Sequence, residues 1–203
     1  GTAGGDSGVK HTVAFDASHK LTGSQMQDVL GLVNGSTYKL TVSGTDLAGN
    51  AGTPIVRTNL LYDNVLPNFG AVTPASDKKV NLAGRAVGWS NSETLSSGEV
   101  RYTRTGGAAD TGSPHIVDLG AVGKLGQGNQ NADVSGLVNT SIYTLTVSGV
   151  DLAGNTATVV TNTNITYDTT NPAFGSVFPY TNARVNDNTV AVKFRITVDI
   201  KIK

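Results

Sequence analysis

An all-β fold built of successive two-layer sandwiches is what this sequence predicts. Three observations carry the prediction: a long internal repeat, short stretches of alternating apolar and polar residues, and a composition poor in helix formers. The repeat is the strongest of them. Gly31 to Asn50 reads GLVNGSTYKLTVSGTDLAGN, and 105 residues later Gly136 to Asn155 reads GLVNTSIYTLTVSGVDLAGN. In the same register, residues 31–81 match residues 136–186 at 28 of 51 positions, among them Tyr62/Tyr167, Asp63/Asp168, Pro67/Pro172 and Phe69/Phe174. Upstream the match continues with a one-residue slip, setting Asp6, Gly8, His11, Lys20 and Leu21 against Asp110, Gly112, His115, Lys124 and Leu125. One fold unit is therefore about 105 residues, the size of a small sandwich domain.

With the Tyr-Asp pair as the boundary, the chain divides into three parts. Residues 1–62 are a partial unit lacking its first strands, 63–167 a complete unit, and 168–203 the start of a further unit or a donor strand. This phase is odd for a natural domain, and the expectation is a piece of something longer.

Within each copy the side-chain period is two. Tyr38, Leu40 and Val42 alternate with Lys39, Thr41 and Ser43, and Tyr143, Leu145 and Val147 alternate in the second copy, which predicts half-buried strands. Further strands are expected at Val56 to Tyr62, Arg85 to Trp89, Val100 to Arg104 and Val117 to Leu119, with Gly, Ser and Asn between them. Leu32 to Tyr38, repeated at Leu137 to Tyr143, has the spacing of the tyrosine corner of Greek-key sandwiches. A plain buried strand tyrosine accounts for the same spacing.

Composition narrows the function classes. Net charge is +0 and the sequence pI is about 7.0, so no basic surface exists to hold phosphates, and nucleic acid is not an expected partner. Cysteine is absent, which leaves packing or oxygen-ligated ions to staple the fold. No run of about 18 apolar residues occurs, so no helical membrane span is expected.

The segments TVSGTDLAGN, SNSETLSSGEVRYTRTGG, DTGSPH and NITYDTTNPAF resemble the bacterial immunoglobulin-like repeats of very large surface adhesins, a likeness extending to about Asn188. The resemblance implies tandem immunoglobulin-like Greek-key β-sandwiches, an extracellular or cell-surface location and no catalytic residues. It also implies neighbouring units of the same or identical chains as partners, with a host-surface or glycan receptor engaged by the array. The last fifteen residues depart from it, for they do not repeat the Ser-Glu-rich stretch of Asn91 to Val100.

Several residues are candidates for chemistry. Asp46 and Asn50, Asp151 and Asn155 bracket the Asp-Leu-Ala-Gly-Asn loops, and Asp63 and Asp168 sit at the junctions to the next unit. Clustered at a linker, such oxygens could hold Ca²⁺, and the resemblance adds calcium-stiffened domain junctions. The competing reading is a hairpin in which Asp and Asn fold back on the backbone and Gly supplies a positive φ. His11 and His115 each follow an Asp by five residues. No nucleophile elbow or metal pair accompanies them, so each is expected to bond a loop backbone. Glu93 and Glu99, the chain's two glutamates, give no cleft signal, and Trp89 falls in an alternating slot that Phe194 fills in the next copy, which reads as core.

The tail alternates over an unusual length: Val190, Val192, Phe194, Ile196, Val198, Ile200 and Ile202 are apolar and the residues between them mostly charged. As a single strand it would span roughly 50 Å. Such a strand could complete the open sandwich of another copy by β-augmentation, giving a head-to-tail, strand-exchanged filament. Missing strands supplied by a longer chain explain the open sandwich equally. The expected function is thus a structural or adhesive module, a stalk or filament subunit and not an enzyme. A carbohydrate-binding accessory module of a secreted enzyme is the alternative, and it would need exposed aromatics such as Tyr102 or Tyr180.

Overall fold

A computed structural model describes residues 6–20, 22–81, 87–186 and 188–197. Among them the chain is nearly all β. The described residues hold no α-helix, only a 3-10 turn at Ala17–His19 capped by the Asp16 carboxylate, and none of their helices is long and apolar enough to cross a membrane. The first copy contributes β1 (Thr37–Val42) and β2 (Ile55–Leu61), which pair antiparallel.

The middle copy contributes eight strands: β3 (Phe69–Thr73), β4 (Lys79–Val80), β5 (Val87–Asn91), β6 (Leu95–Gly107), β7 (His115–Asp118), β8 (Gly128–Ala132), β9 (Ser141–Asp151) and β10 (Val160–Tyr167). They form two sheets, ordered β3-β5-β8 and β4-β10-β9-β6-β7. Every pairing is antiparallel except that of β4 with β10. Beyond them, β11 (Phe174–Phe178) and β12 (Lys193–Ile196) pair antiparallel.

The period-two pattern is what joins the two sheets of the middle copy. Along β9, Tyr143, Leu145 and Val147 are buried while the residues between them are half-buried, and along β5 the same holds for Val87 and Trp89. These side chains meet Phe69 and Ala132 from the smaller sheet and Leu95, Val100, Tyr102, Ile165 and Tyr167 from the larger in one apolar core, the packing of a two-layer sandwich. Strand β5 is described from Val87, so the expected start at Arg85 lies outside the described residues.

The first copy shows which strands need partners. Residues 23–27 repeat the positions of β8, and residues 11–14 those of β7, yet neither segment is a strand. In the middle copy β8 pairs with β5 and β7 with β6, and neither partner strand has a counterpart among the described residues of the first copy. Among the described residues of the first copy the strands are β1 and β2, whose ladder is mutual.

One turn carries a mismatch. Gly35 and Thr140 occupy the same repeat position, at φ 75° and 63°, and their N–H groups donate to Tyr62 and Tyr167 carbonyls at 2.8 and 2.7 Å. A β-branched residue is strained in this left-handed region, where glycine is not. Thr140→Gly is expected to stabilise the middle unit by about 1 kcal/mol, read as a higher urea midpoint with an unchanged m value.

Candidate functional site

Each copy builds the same buried polar knot. In the middle copy the Val138 N–H donates to the Tyr143 hydroxyl (2.8 Å), and that hydroxyl donates to Asp110 Oδ2 (2.6 Å). His115 Nε2 lies 2.7 Å from the same carboxylate oxygen. In the first copy Val33 N–H donates to the Tyr38 hydroxyl (2.8 Å), Tyr38 donates to Asp6, and His11 Nε2 lies 2.9 Å from Asp6 Oδ2. The tyrosine corner is therefore present twice. The histidines bond an aspartate and not the loop backbone expected of them, because the carboxylate oxygen that accepts the tyrosine hydroxyl also lies within hydrogen-bond reach of the ring Nε2. Gly136, at φ +86°, makes room for it: a Cβ there would come within 2.9 Å of the His115 ring.

The Asp110 carboxyl is held below its ordinary value, chiefly by the Tyr143 hydrogen bond, against burial, with His115 and the Gly112 N–H assisting. Asp6 is lowered in the same way by Tyr38 first. All three side chains of each knot are engaged with one another. Two open surface depressions, one along β6, β7 and β9 and one near Asp63, are lined by neither His115 nor Asp110.

The Asp-Leu-Ala-Gly-Asn loops are hairpins. Asp46 Oδ1 accepts the N–H groups of Ala48 and Asn50 (2.9 and 2.8 Å) and its Oδ2 accepts Asn50 Nδ2 (2.9 Å). Asp151 makes the same three bonds with Ala153 and Asn155, each 2.8 Å. Gly49 and Gly154 supply the left-handed turn residue at φ 93° and 97°. Burial pushes the Asp151 carboxyl up, but hydrogen bonds from Asn155 and the Ala153 and Gly154 N–H groups outweigh it and leave it below its ordinary value. Asp46 is lowered mainly by Asn50.

Of the six candidate calcium ligands, the structure brings three together, and it adds a fourth residue not among them. Buried Asp151 and half-buried Asp63 and Glu93 each place a carboxylate oxygen within 4.8 Å of the others, and Asn155 Nδ2 ties the junction by donating to the Asp63 carbonyl (3.0 Å). Asp46 and Asn50 stay in their own exposed hairpin. The Asp168 carboxylate accepts the Thr170 N–H (2.9 Å). Glu93 lies 30 residues from Asp63 and 58 from Asp151, so nothing local in the sequence announced it.

The donor set of the cluster suits a hard divalent cation, but three carboxylates fall short of the six to eight oxygens Ca²⁺ takes, and water would have to supply the rest. Without a cation the cluster is repulsive. Burial, Asp63 and Asp151, in that order, raise the Glu93 carboxyl above its ordinary value. A folded pKa above the unfolded one means that ionising Glu93 opposes folding as pH rises past about 4.3. Glu93→Gln is therefore expected to raise the Tm at pH 7 in chelator, by circular dichroism. A cation held by all three carboxylates reverses the sign in millimolar calcium.

The remaining candidates are structural or open. Glu99 binds Arg101 (2.8 Å). Trp89 is core, its Nε1–H donating to buried Asn91 Oδ1 (2.8 Å), while Asn91 Nδ2 donates to the Lys124 and Gly126 carbonyls. Tyr102, taken as an exposed tyrosine that the carbohydrate-binding alternative could use, is instead buried, because it shares with Val100 the inward face of β6. Tyr180 is exposed, with Phe178 edge-on to it. Of the tail residues, Val190, Val192, Phe194 and Ile196 are exposed and the last two lie in β12, while Val198, Ile200 and Ile202 lie outside the described residues. No protein-family model matches the chain, and no curated protein sequence matches it.

Proposed function

We propose that the chain is a structural repeat module, in which tandem immunoglobulin-like Greek-key sandwiches act as load-bearing spacers of a bacterial surface array and perform no bond-breaking chemistry. Support for the finer fold comes from the strand order, with the first strand of the middle unit split between sheets as β3 and β4, and from the tyrosine corners. The adhesin-like segments support the surface location and the neighbouring units as partners, and a host or glycan receptor would lie beyond this stalk.

The observation that carries the reading is how the middle unit's entry and exit strands are joined. β4 and β10 run parallel, with Thr166 opposite Lys79 and Tyr167 opposite Val80. Tension applied through the flanking segments pulls two parallel strands in opposite directions, so their bonds are loaded side by side and must fail together. Thr166 and Asp168 N–H groups donate to the Lys78 and Val80 carbonyls, both at 2.9 Å. Asn162 Nδ2 donates to the Pro74 carbonyl (2.8 Å) and Asn164 Nδ2 to Asp77 Oδ1 (2.7 Å), extending the seam with side chains.

Single-molecule pulling on the chain from both ends tests this. A distinct force peak is expected for the middle unit, lowered in Asn162→Ala. A unit that unravels without a peak overturns the load-bearing reading. Glycan binding abolished by Tyr180→Ala would favour the carbohydrate-binding alternative.

A further inference from the structure

The segment between β2 and β3, residues 62–68, joins the first copy to the middle unit. A free linker would let the two swing, the default for successive units joined by a short strap. This one is pinned along its length. The Tyr62 N–H donates to the Ser36 carbonyl (3.0 Å), and the Val65 N–H to Asp63 Oδ1 (3.0 Å). Pro67 is buried, with φ fixed by its ring. The Asn68 N–H donates to Ser92 Oγ (2.9 Å), and the Asn68 carbonyl accepts the Ser92 N–H (3.0 Å).

At the centre of the linker one peptide group is shared by both sides of the joint. The Asn64 N–H donates to Asn34 Oδ1 (2.8 Å), in the turn before β1. The Asp63 carbonyl, the other polar group of that same peptide, accepts Asn155 Nδ2 (3.0 Å) from the turn between β9 and β10. A trans peptide is a rigid plate whose donor and acceptor point in opposite directions, so the first copy grips one edge and the middle unit the other. The Asn155 arm is set in place beforehand, because its second amide hydrogen goes to Asp151 Oδ2 (2.8 Å) and its backbone N–H to Asp151 Oδ1 (2.8 Å). The grip from the preceding unit recurs one repeat later, where Asn139 Oδ1 accepts the Thr169 N–H (2.7 Å). Thr169 stands at the position of Asn64, so the bond is to backbone and survives the change of side chain.

We infer that the Asp63–Asn64 peptide is a lock that fixes the direction in which the middle unit projects from the β1–β2 ladder. Turning one unit against the other about this linker has to break the bond to Asn34 or the bond to Asn155. All four groups of the lock are amides, so it closes without a cation. The inference rests on the structural-module reading and names what sets the stiffness of the array at this joint.

Pulsed electron spin resonance between two nitroxides, one on each side of the joint, tests the lock. The chain has no native cysteine, and Lys39 in β1 and Thr103 in β6 are both exposed, so Lys39→Cys/Thr103→Cys carries the labels. A single narrow distance distribution is expected, of the same width in chelator and in millimolar calcium. Asn34→Ala removes the acceptor and is expected to broaden the distribution about twofold, towards the freedom of an unconstrained linker. Asn34→Asp keeps an acceptor oxygen and is expected to restore the narrow distribution. Amide hydrogen exchange gives a second reading: in Asn34→Ala the Asn64 amide is expected to exchange about tenfold faster, while the Tyr62 amide keeps its protection and shows the β1–β2 end intact. Unchanged fluorescence of Trp89, buried in the middle core, shows that unit folded in every variant. A broad distribution in the unsubstituted chain, broadening by chelator, an Asn34→Ala chain as narrow as its parent, or an Asn34→Asp chain as broad as Asn34→Ala overturns the lock. A broad distribution beside an intact middle-unit force peak overturns the lock alone and leaves the load-bearing reading standing; a narrow one without the peak does the reverse.

Discussion

Trp89→Ala is expected to destabilise the middle unit by about 4 kcal/mol, the range for emptying a large aromatic slot in a close-packed core. Two losses add. The cavity forms between the sheets, where Trp89 packs with Phe69, Val87 and the β9 side chains. The Asn91 side-chain oxygen also loses its indole donor while remaining buried, which leaves an acceptor unsatisfied. For a unit of this size each kcal/mol moves the Tm by about 4–8 °C, so a fall of roughly 15–30 °C is the outcome, read by circular dichroism because the variant has no tryptophan. The matched change Phe194→Ala, at the equivalent exposed slot, is expected to move the middle unit's Tm by less than about 0.5 kcal/mol equivalent in dilute solution. Comparable losses at the two sites would show that Phe194 is as deeply packed as Trp89.

That contrast marks where sequence reasoning reaches and where it stops. Alternation at Tyr38, Leu40 and Val42 predicts an apolar strand face, and the structure has one, but alternation is silent on whether anything covers it. The middle copy has both sheets and buries the face. The first copy, with identical Leu and Val at these positions, leaves it exposed. Tyrosine corners and Asp-Leu-Ala-Gly-Asn hairpins were legible because their partners lie within five residues, as Val138 does from Tyr143 and Asn155 from Asp151. Contacts made across the fold were not. Asp110 meets Tyr143 from 33 residues away, and Glu93 reaches Asp63 and Asp151 only once β5 and β6 are folded back against the β9–β10 hairpin. Tyr102 was misplaced for a different reason: a single tyrosine in a strand fits either face, and the signal that decides it is Val100, two residues earlier on the buried side.

The second large effect is expected at Asp110. Asp110→Ala removes the one acceptor shared by the Tyr143 hydroxyl and the His115 ring, both largely buried. An orphaned buried donor costs about 1–3 kcal/mol, and with two affected the variant is expected to lose roughly 3 kcal/mol in urea unfolding. Asp110→Asn keeps an oxygen for Tyr143 and isolates the part that depends on charge. Because hydrogen bonding from Tyr143 holds the folded Asp110 carboxyl below its ordinary value, the stabilisation from ionising it is complete above the unfolded pKa of about 3.9. It is lost as pH falls through the folded value. The gap in stability between wild type and Asp110→Asn should therefore stay constant near neutrality and narrow below about pH 4. A gap that holds its size into acid would mean the carboxylate's charge adds nothing to the corner. The same change at Asp6, in the first copy, would then separate the strength of the knot from that of the sandwich around it, since Asp6, His11 and Tyr38 form the knot where, among the described residues, β1 and β2 alone are paired.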